Sequence, residues 1–331
     1  MTDRQNASGP DGRTLVDIYR RMLRIERNDD AIRQVIRQGK ITMPYYSARG
    51  QEVIPAALAT QLTDDDRICT IYRGIQDMVA KGMPLRPLWA EIAGRIDGTC
   101  KGKGGPMHLT HPESGVMVTT GIVGSSLPIA NGIAWAAQMD GSSRVTIAFF
   151  GDGAANIGAF HESLNMASLW KLPVIFLCVN NGFAEHTRYE NGTSVDRIST
   201  RAAGYGMPGV TMDGNDPDAM YEACRIAIAR ARAGAGPTLI EAITFRFLGH
   251  VFGDDDKYMA PGEKEAAVAK DPLPALRARL LAEGHATEAE LVAMQQAIEA
   301  EIADARDFGM NSPFPSVDEL RRDVFAEEIP A

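Results

Sequence analysis

The sequence predicts an α/β fold, with one parallel sheet and helices on both of its faces. Three observations carry this. The runs "VTIAFF" (145–150) and "PVIFLCV" (173–179) are apolar almost throughout, as strands covered on both sides are. Segments of helical period lie between such runs. Strand and helix alternate along the chain, which joins parallel neighbours through crossovers. With 331 residues the chain reads as a single domain over 14–331, preceded by a flexible arm over 1–13.

The elements follow in order. From Thr14 to Gln38, apolar residues such as Leu15, Ile18, Met22, Ile25 and Ile32 recur at three and four, and Gly39 closes this amphipathic helix. A second helix follows Gly50 ("QEVIPAALATQL"), "RICTIY" (67–72) is a strand, and two helical segments run from about Ile75 to Arg95. The stretch "DGTCKGKGGPMHLTHPESG" (97–115) has little periodicity. A loop of that length in a compact domain is functional or mobile. "GIVGSSLPIANGIAWAAQMDG" (121–141) is a glycine turn leading into a buried helix. Strand 145–150, helix 157–170 and strand 173–180 come next, then a strand-like "GVTMDG" (209–214), a helix over 216–234 and the strand "PTLIEAITF" (237–245). Residues 260–325 are charged, Ala-rich and mostly helical, a C-terminal extension.

Composition narrows the partners. A net charge of −9 opposes a nucleic-acid footprint, which is basic. No apolar run reaches membrane-spanning length, and the polar N-terminus lacks the centre of a signal peptide. Cys69, Cys100, Cys178 and Cys224 are scattered without a C-x-x-C pair, as small buried side chains in a reducing cytoplasm are.

The chemistry concentrates in 145–182. Asp152 follows one buried strand inside Gly-Asp-Gly, and Asn180 and Asn181 follow the next. Ligands of an open parallel sheet sit beyond the carboxyl ends of its strands. A carboxylate and a carboxamide converging there are hard oxygen donors suited to Mg²⁺, which keeps positions open for phosphate oxygens and water. Gly151 and Gly153 permit a tight turn, and a helix beginning near Ala154 to Ile157 would aim free N–H groups at an anion. A lone Gly-Asp-Gly is more often a surface turn. The Asn pair after the next strand favours a divalent metal carrying a diphosphate.

This pattern resembles the thiamine diphosphate motif. Beyond it, "GDGAANIGAFHESLNMASLWKLPVIFLCVNNG", "KGKGGPMHL", "GIVGSSLPIANGIA", "GYGMPGVTMDGNDP" and "PTLIEAITFRFLGH" resemble the α subunit of the first component of 2-oxo acid dehydrogenase complexes, a group that includes pyruvate, acetoin and branched-chain 2-oxo acid dehydrogenases. The likeness covers about residues 14–260. It implies the thiamine diphosphate-binding fold, with thiamine diphosphate and Mg²⁺ as cofactors. Asp152, the Asn181 side chain and the Phe183 carbonyl would hold the metal. Gly153 and Ala154 would lie against the diphosphate, which Tyr72 and Arg73 would contact. The backbones of Gly121 and Val123 would meet the aminopyrimidine ring. His250 would stand near the diphosphate and the reacting centre as the catalytic histidine.

The resemblance also implies partners. A β subunit would supply the glutamate that activates the cofactor, in an α₂β₂ heterotetramer. A 2-oxo acid would lose CO₂, or an acyloin would be cleaved, and the acyl unit would pass to a lipoyl group on an acyltransferase component. A nucleotide- or phosphate-binding module and a non-catalytic partner subunit are the alternatives from other classes. Neither G-x-G-x-x-G after an early strand nor G-x-x-x-x-G-K-[ST] is present for the first. Retention of Asp152, Asn181, Tyr72 and Arg73 counts against the second.

The chain departs from its relatives on the substrate side. Ile75 and Asp77 stand where pyruvate and acetoin types carry histidine after Tyr-Arg, and Tyr46 stands where another histidine precedes Gly-Gln-Glu. Tyr46 and Ile75, with Tyr45, are expected to form a more apolar substrate wall, suited to a bulkier acyl group. Val251 replaces the serine that is phosphorylated in some relatives. His161 is read as structural, and His108 as either structural or near the mouth of the site. The acidic loop "GDDDK" (253–257) is a solvated turn or orders over the cofactor.

Overall fold

Every central strand of the sheet buries both of its faces, and this decides the architecture. The computed structural model, which describes residues 9–323, contains β1 (Arg67–Ile71), β2 (Val116–Thr120), β3 (Thr146–Gly151), β4 (Val174–Asn180), a short hairpin β5 (Phe183–Ala184) and β6 (Thr187–Arg188), β7 (Gly209–Asp213) and β8 (Thr238–Ile243). Six of them form one sheet in the order β2-β1-β3-β4-β8-β7, parallel throughout. Side chains alternate across a strand. Ile147, Phe149, Ile175 and Leu177 therefore enter a core on one face, and Ala148, Phe150, Phe176 and Cys178 enter a second core on the other.

The helices are α1 (Gly12–Arg37), α2 (Val53–Ala59), α3 (Ile75–Lys81), α4 (Leu85–Ile92), α5 (Ser126–Met139) and α6 (Gly158–Trp170), then α7 (Tyr189–Gly192), α8 (Pro217–Arg232), α9 (Glu263–Val268), α10 (Pro272–Ala282) and α11 (Glu288–Asn311). α1 to α4, α8, α10 and α11 cover the larger core, and α5 and α6 cover the smaller one. α1 starts at Gly12 because the Asp11 carboxylate accepts from the Thr14 N–H at 2.8 Å, an N-cap. It thus takes in Gly12 and Arg13, assigned above to the arm, of which residues 1–8 lie outside the described residues. α11 opens with a reciprocal capping box between Thr287 and Glu290.

One element differs from the sequence reading. β2 is a sixth strand that the sequence reading left unassigned, because "VMVTT" is short and follows an irregular loop. The helix read over 157–170 is α6, with Ile157 as its N-cap, and Asp152–Asn156 before it form a 3₁₀ turn.

Topology then places the site. From β1 the chain crosses over the larger core through α3 and α4 to β2. From β2 it returns over the smaller core through α5, past β1, to β3. The neighbouring ends of β1 and β3 lead to helices on opposite faces. A crevice opens at such a switch point.

Candidate active site

A cavity of about 480 Å³ occupies that crevice. Its walls come from the ends of five strands. Tyr72 and Arg73 follow β1, Gly121 and Val123 follow β2, Asp152 to Ala154 follow β3, Asn181 and Phe183 follow β4, and Arg246 and His250 follow β8. Tyr46 joins them from the segment between α1 and α2.

Asp152 is buried, and among the described residues it forms no ion pair. Burial pushes its carboxyl up to about 6, against the lowering effects of backbone N–H groups and of the Arg246 charge. Of the asparagine pair, only Asn181 serves the cavity. Its Oδ1 accepts from the Phe183 N–H at 3.2 Å and its Nδ2 donates to Gln51 Oε1 at 3.4 Å. Asn180 instead donates to the buried Glu241 carboxylate at 2.8 Å and accepts from the Gly182 N–H. At Gly153, a Cβ would come within 2.6 Å of the Ala184 Cβ. Only glycine lets the Asp152 turn lie this close to the β5–β6 hairpin.

The opposite charge is also unpaired. Arg73 and Arg246 are 6% and 1% exposed, yet neither meets a carboxylate in an ion pair among the described residues. Neutral groups hold them instead. Arg73 donates to the carbonyls of Ser47 at 2.6 Å and His250 at 3.0 Å, and Arg246 to the Glu185 carbonyl and the Tyr258 hydroxyl. Burial, then the Arg73 and Arg246 charges, lowers His250 to about 4, so its ring is neutral at pH 7. The Tyr46, Tyr72 and His250 rings pack edge to face, with centroids 4.6–5.9 Å apart. An unpaired carboxylate with a carboxamide beside it, facing two unpaired guanidiniums, is the electrostatic complement of a divalent cation on a diphosphate. Among the described residues, no group of three His, Cys, Asp or Glu side chains could hold a metal. A cation here would draw on mixed oxygen donors.

The model of the family described as dehydrogenase E1 component matches residues 20–318. The chain belongs to that family. Among its relatives is the α subunit of acetoin:2,6-dichlorophenolindophenol oxidoreductase of Bacillus subtilis (strain 168), 40% identical over 309 residues, 93% of this chain and 92% of the relative. The α subunit of the same name in Cupriavidus necator is 39% identical over 316 residues, 95% of each chain. The pyruvate dehydrogenase E1 component α subunit of Rhizobium meliloti (strain 1021) is 38% identical over 307 residues, 92% of this chain and 88% of the relative.

Within this E1 chain, the cavity brings together every sequence-predicted residue except Ile75 and Tyr45. The Ile75 side chain turns into the core beside Ile25, Tyr45 and Val79, and Tyr45 bonds Asp29 there at 2.6 Å. Each helical residue rotates the next by about 100°, so Gln76 and Asp77 form the wall instead. The cavity wall is thereby more polar here than the sequence suggested.

Sequence reading missed Arg246, Gln51 and Gln76, and noted Asp77 only as standing where relatives carry a histidine. Four buried polar atoms with no hydrogen-bond partner belong to these residues: Arg246 Nε, Gln51 Nε2, Gln76 Oε1 and Asp77 Oδ1. Arg246 carried a readable signal, because it stands just past a strand end, four residues before His250.

Another missed residue supports the mouth. Glu91, fully buried in α4, accepts four backbone N–H groups of the glycine-rich loop, from Cys100 and Gly102 on one oxygen and Gly104 and Gly105 on the other, at 2.7–3.1 Å. This fixes a segment whose Met107 reaches the cavity. The His108 ring packs beside Gly121, at the mouth.

Proposed function

We propose that this chain is the α subunit of a thiamine diphosphate-dependent dehydrogenase of the 2-oxo acid or acetoin type. The cavity's uncompensated charges support this most directly, Asp152 on one side and Arg73 with Arg246 on the other. Asp152, Asn181 and the Phe183 carbonyl would hold Mg²⁺. Arg73, Arg246 and Tyr72 would take the diphosphate, with Gly153 and Ala154 lying against it. The backbones of Gly121 and Val123 would seat the aminopyrimidine. When bound, thiamine diphosphate supplies a nucleophilic thiazolium carbon and an electron sink.

The protein's own residues position and exclude. The aromatic group of Tyr46, Tyr72 and His250 shields the reacting centre from water. His250, neutral at working pH, can take a proton that a charged imidazole could not. A β subunit would complete the site with the activating glutamate in an α₂β₂ assembly. A lipoyl group on an acyltransferase would accept the acyl unit. No helix among the described residues is long and apolar enough to cross a membrane, and we place the complex in the cytoplasm.

Calorimetry on the αβ complex tests this reading. Thiamine diphosphate binds only with Mg²⁺, and Asp152→Ala weakens binding at least 100-fold, about 2.7 kcal/mol. Absence of metal-dependent binding by the wild type ends the reading.

A further inference from the structure

Gln51 is completely buried, and it stands in the cavity wall with Asp152, Asn181 and Phe183. Its Oε1 accepts from Asn181 Nδ2 at 3.4 Å, while Asn181 Oδ1 accepts from the Phe183 N–H at 3.2 Å. Together these bonds give the Asn181 carboxamide one orientation. A carboxamide presents an acceptor at one end and donors at the other. Turned over, it would set its NH₂ against the Phe183 N–H, donor against donor. Turning the Gln51 and Asn181 amides over together would leave the same clash at Phe183. The Asn181 oxygen is therefore held beside the Phe183 backbone.

A residue can orient a neighbour only when it is itself held. The backbone around Gln51 is pinned to the exit of β8. The Phe247 N–H donates to the Arg49 carbonyl at 2.9 Å, and the Thr244 hydroxyl donates to the Gly50 carbonyl at 3.0 Å. Gly50 takes φ +96°, and a Cβ there would come within 2.5 Å of the Phe245 carbonyl, so only glycine permits this approach. The fully buried Glu52 accepts from the Gly50 N–H at 3.0 Å and pairs with Arg49. Arg49 also reaches Asp271, the N-cap of α10, at 3.0 Å. Gln51 thus stands on a frame that joins β8 to the C-terminal helices.

We propose that Gln51 is a positioning residue for the cation, acting through the Asn181 carboxamide, an inference that rests on the thiamine diphosphate reading of this chain. By accepting from Nδ2 it keeps Oδ1 available to the metal and adds electron density to that oxygen. Outer partners of this kind orient metal ligands and raise their basicity, and losing one costs about 10–100-fold in metal affinity. Leucine at this position leaves the Asn181 amide held by the Phe183 N–H alone and free to turn its donors towards the cation.

The test is calorimetry of thiamine diphosphate on the αβ complex with Mg²⁺ titrated, for wild type, Gln51→Leu and Gln51→Glu. Gln51→Leu raises the Mg²⁺ concentration needed for half-maximal binding at least tenfold. Saturating Mg²⁺ returns its cofactor affinity to within threefold of wild type, because only a metal ligand is disturbed. Gln51→Glu, which keeps an acceptor towards Asn181 Nδ2, has a Mg²⁺ requirement no more than threefold above wild type. A requirement within threefold of wild type in Gln51→Leu would overturn the assignment. So would a weakened cofactor affinity that saturating Mg²⁺ leaves unrepaired, the mark of a merely structural role, or a requirement in Gln51→Glu as high as in Gln51→Leu. Failure of the wild type to bind thiamine diphosphate with Mg²⁺ overturns the cofactor reading itself, and it shows before any variant is compared.

Discussion

Asp77→Asn makes the buried acid measurable through stability. The folded carboxyl titrates at about 8, whereas an unfolded aspartate titrates near 3.9. A raised folded value means that the acid's contribution is complete below the unfolded value and is lost as pH rises through the folded one. Each pH unit in that window costs about 1.4 kcal/mol. The full window, about four units, amounts to roughly 5.5 kcal/mol as an upper figure. Asparagine carries no proton there and lacks this pH term. For a chain of this length, about 2.1 cal/mol/K per residue converts 1 kcal/mol into roughly 1.5 °C. Between pH 5 and pH 8 the wild type should lose about 6 °C in thermal midpoint relative to Asp77→Asn. The assay is paired thermal scans of the two αβ complexes without cofactor, at matched ionic strength. Any constant cost of the substitution cancels, because only the pH dependence of the difference is read. A difference that stays flat across this range would refute the reasoning, since Asp77 would then be ionised in the folded chain.

Other perturbations probe other parts of the site. Glu91→Ala strands four backbone N–H groups of the glycine-rich loop. It should destabilise the fold by about 2–4 kcal/mol and speed tryptic cleavage at Lys101 and Lys103, read by mass spectrometry. Asp152 must lose its proton, held at about 6, to take a cation. Apparent Mg²⁺ affinity should be nearly flat from pH 7 to 8 and fall towards about tenfold per unit below 6, as calorimetry would show. Gly153→Ala drives a Cβ towards Ala184, so cofactor affinity should drop at least tenfold, about 1.4 kcal/mol, with a smaller change in thermal midpoint.

The sheet was legible because burial on both faces writes itself as apolar runs, as at 145–150 and 173–179. The placing of Asp152 and Asn181 beside one another was legible because they follow two such runs directly. β2 was not, since five residues of mixed polarity beside an irregular loop carry no period. Ile75 was assigned to the cavity because it stands where relatives carry a histidine after Tyr-Arg. Which residue of a helical turn faces the cavity depends on how that turn packs against α1, and this appears only in three dimensions. Glu91 was invisible for a related reason. A single carboxylate in a helix ordinarily reads as a solvated face, and its four partners lie nine to fourteen residues away.

The unpaired charges around the cavity carry a consequence for the chain's lifetime. Before anything binds, two like-charged guanidiniums and one isolated carboxylate oppose compaction around the crevice. A ligand that answers all three shifts the folding equilibrium by mass action, about 2.7 kcal/mol at a hundredfold excess over its dissociation constant. Supply of that ligand would then govern abundance as well as turnover. Newly made chains that stay empty would be the first degraded, and the complex would be kept in proportion to the cofactor that can arm it.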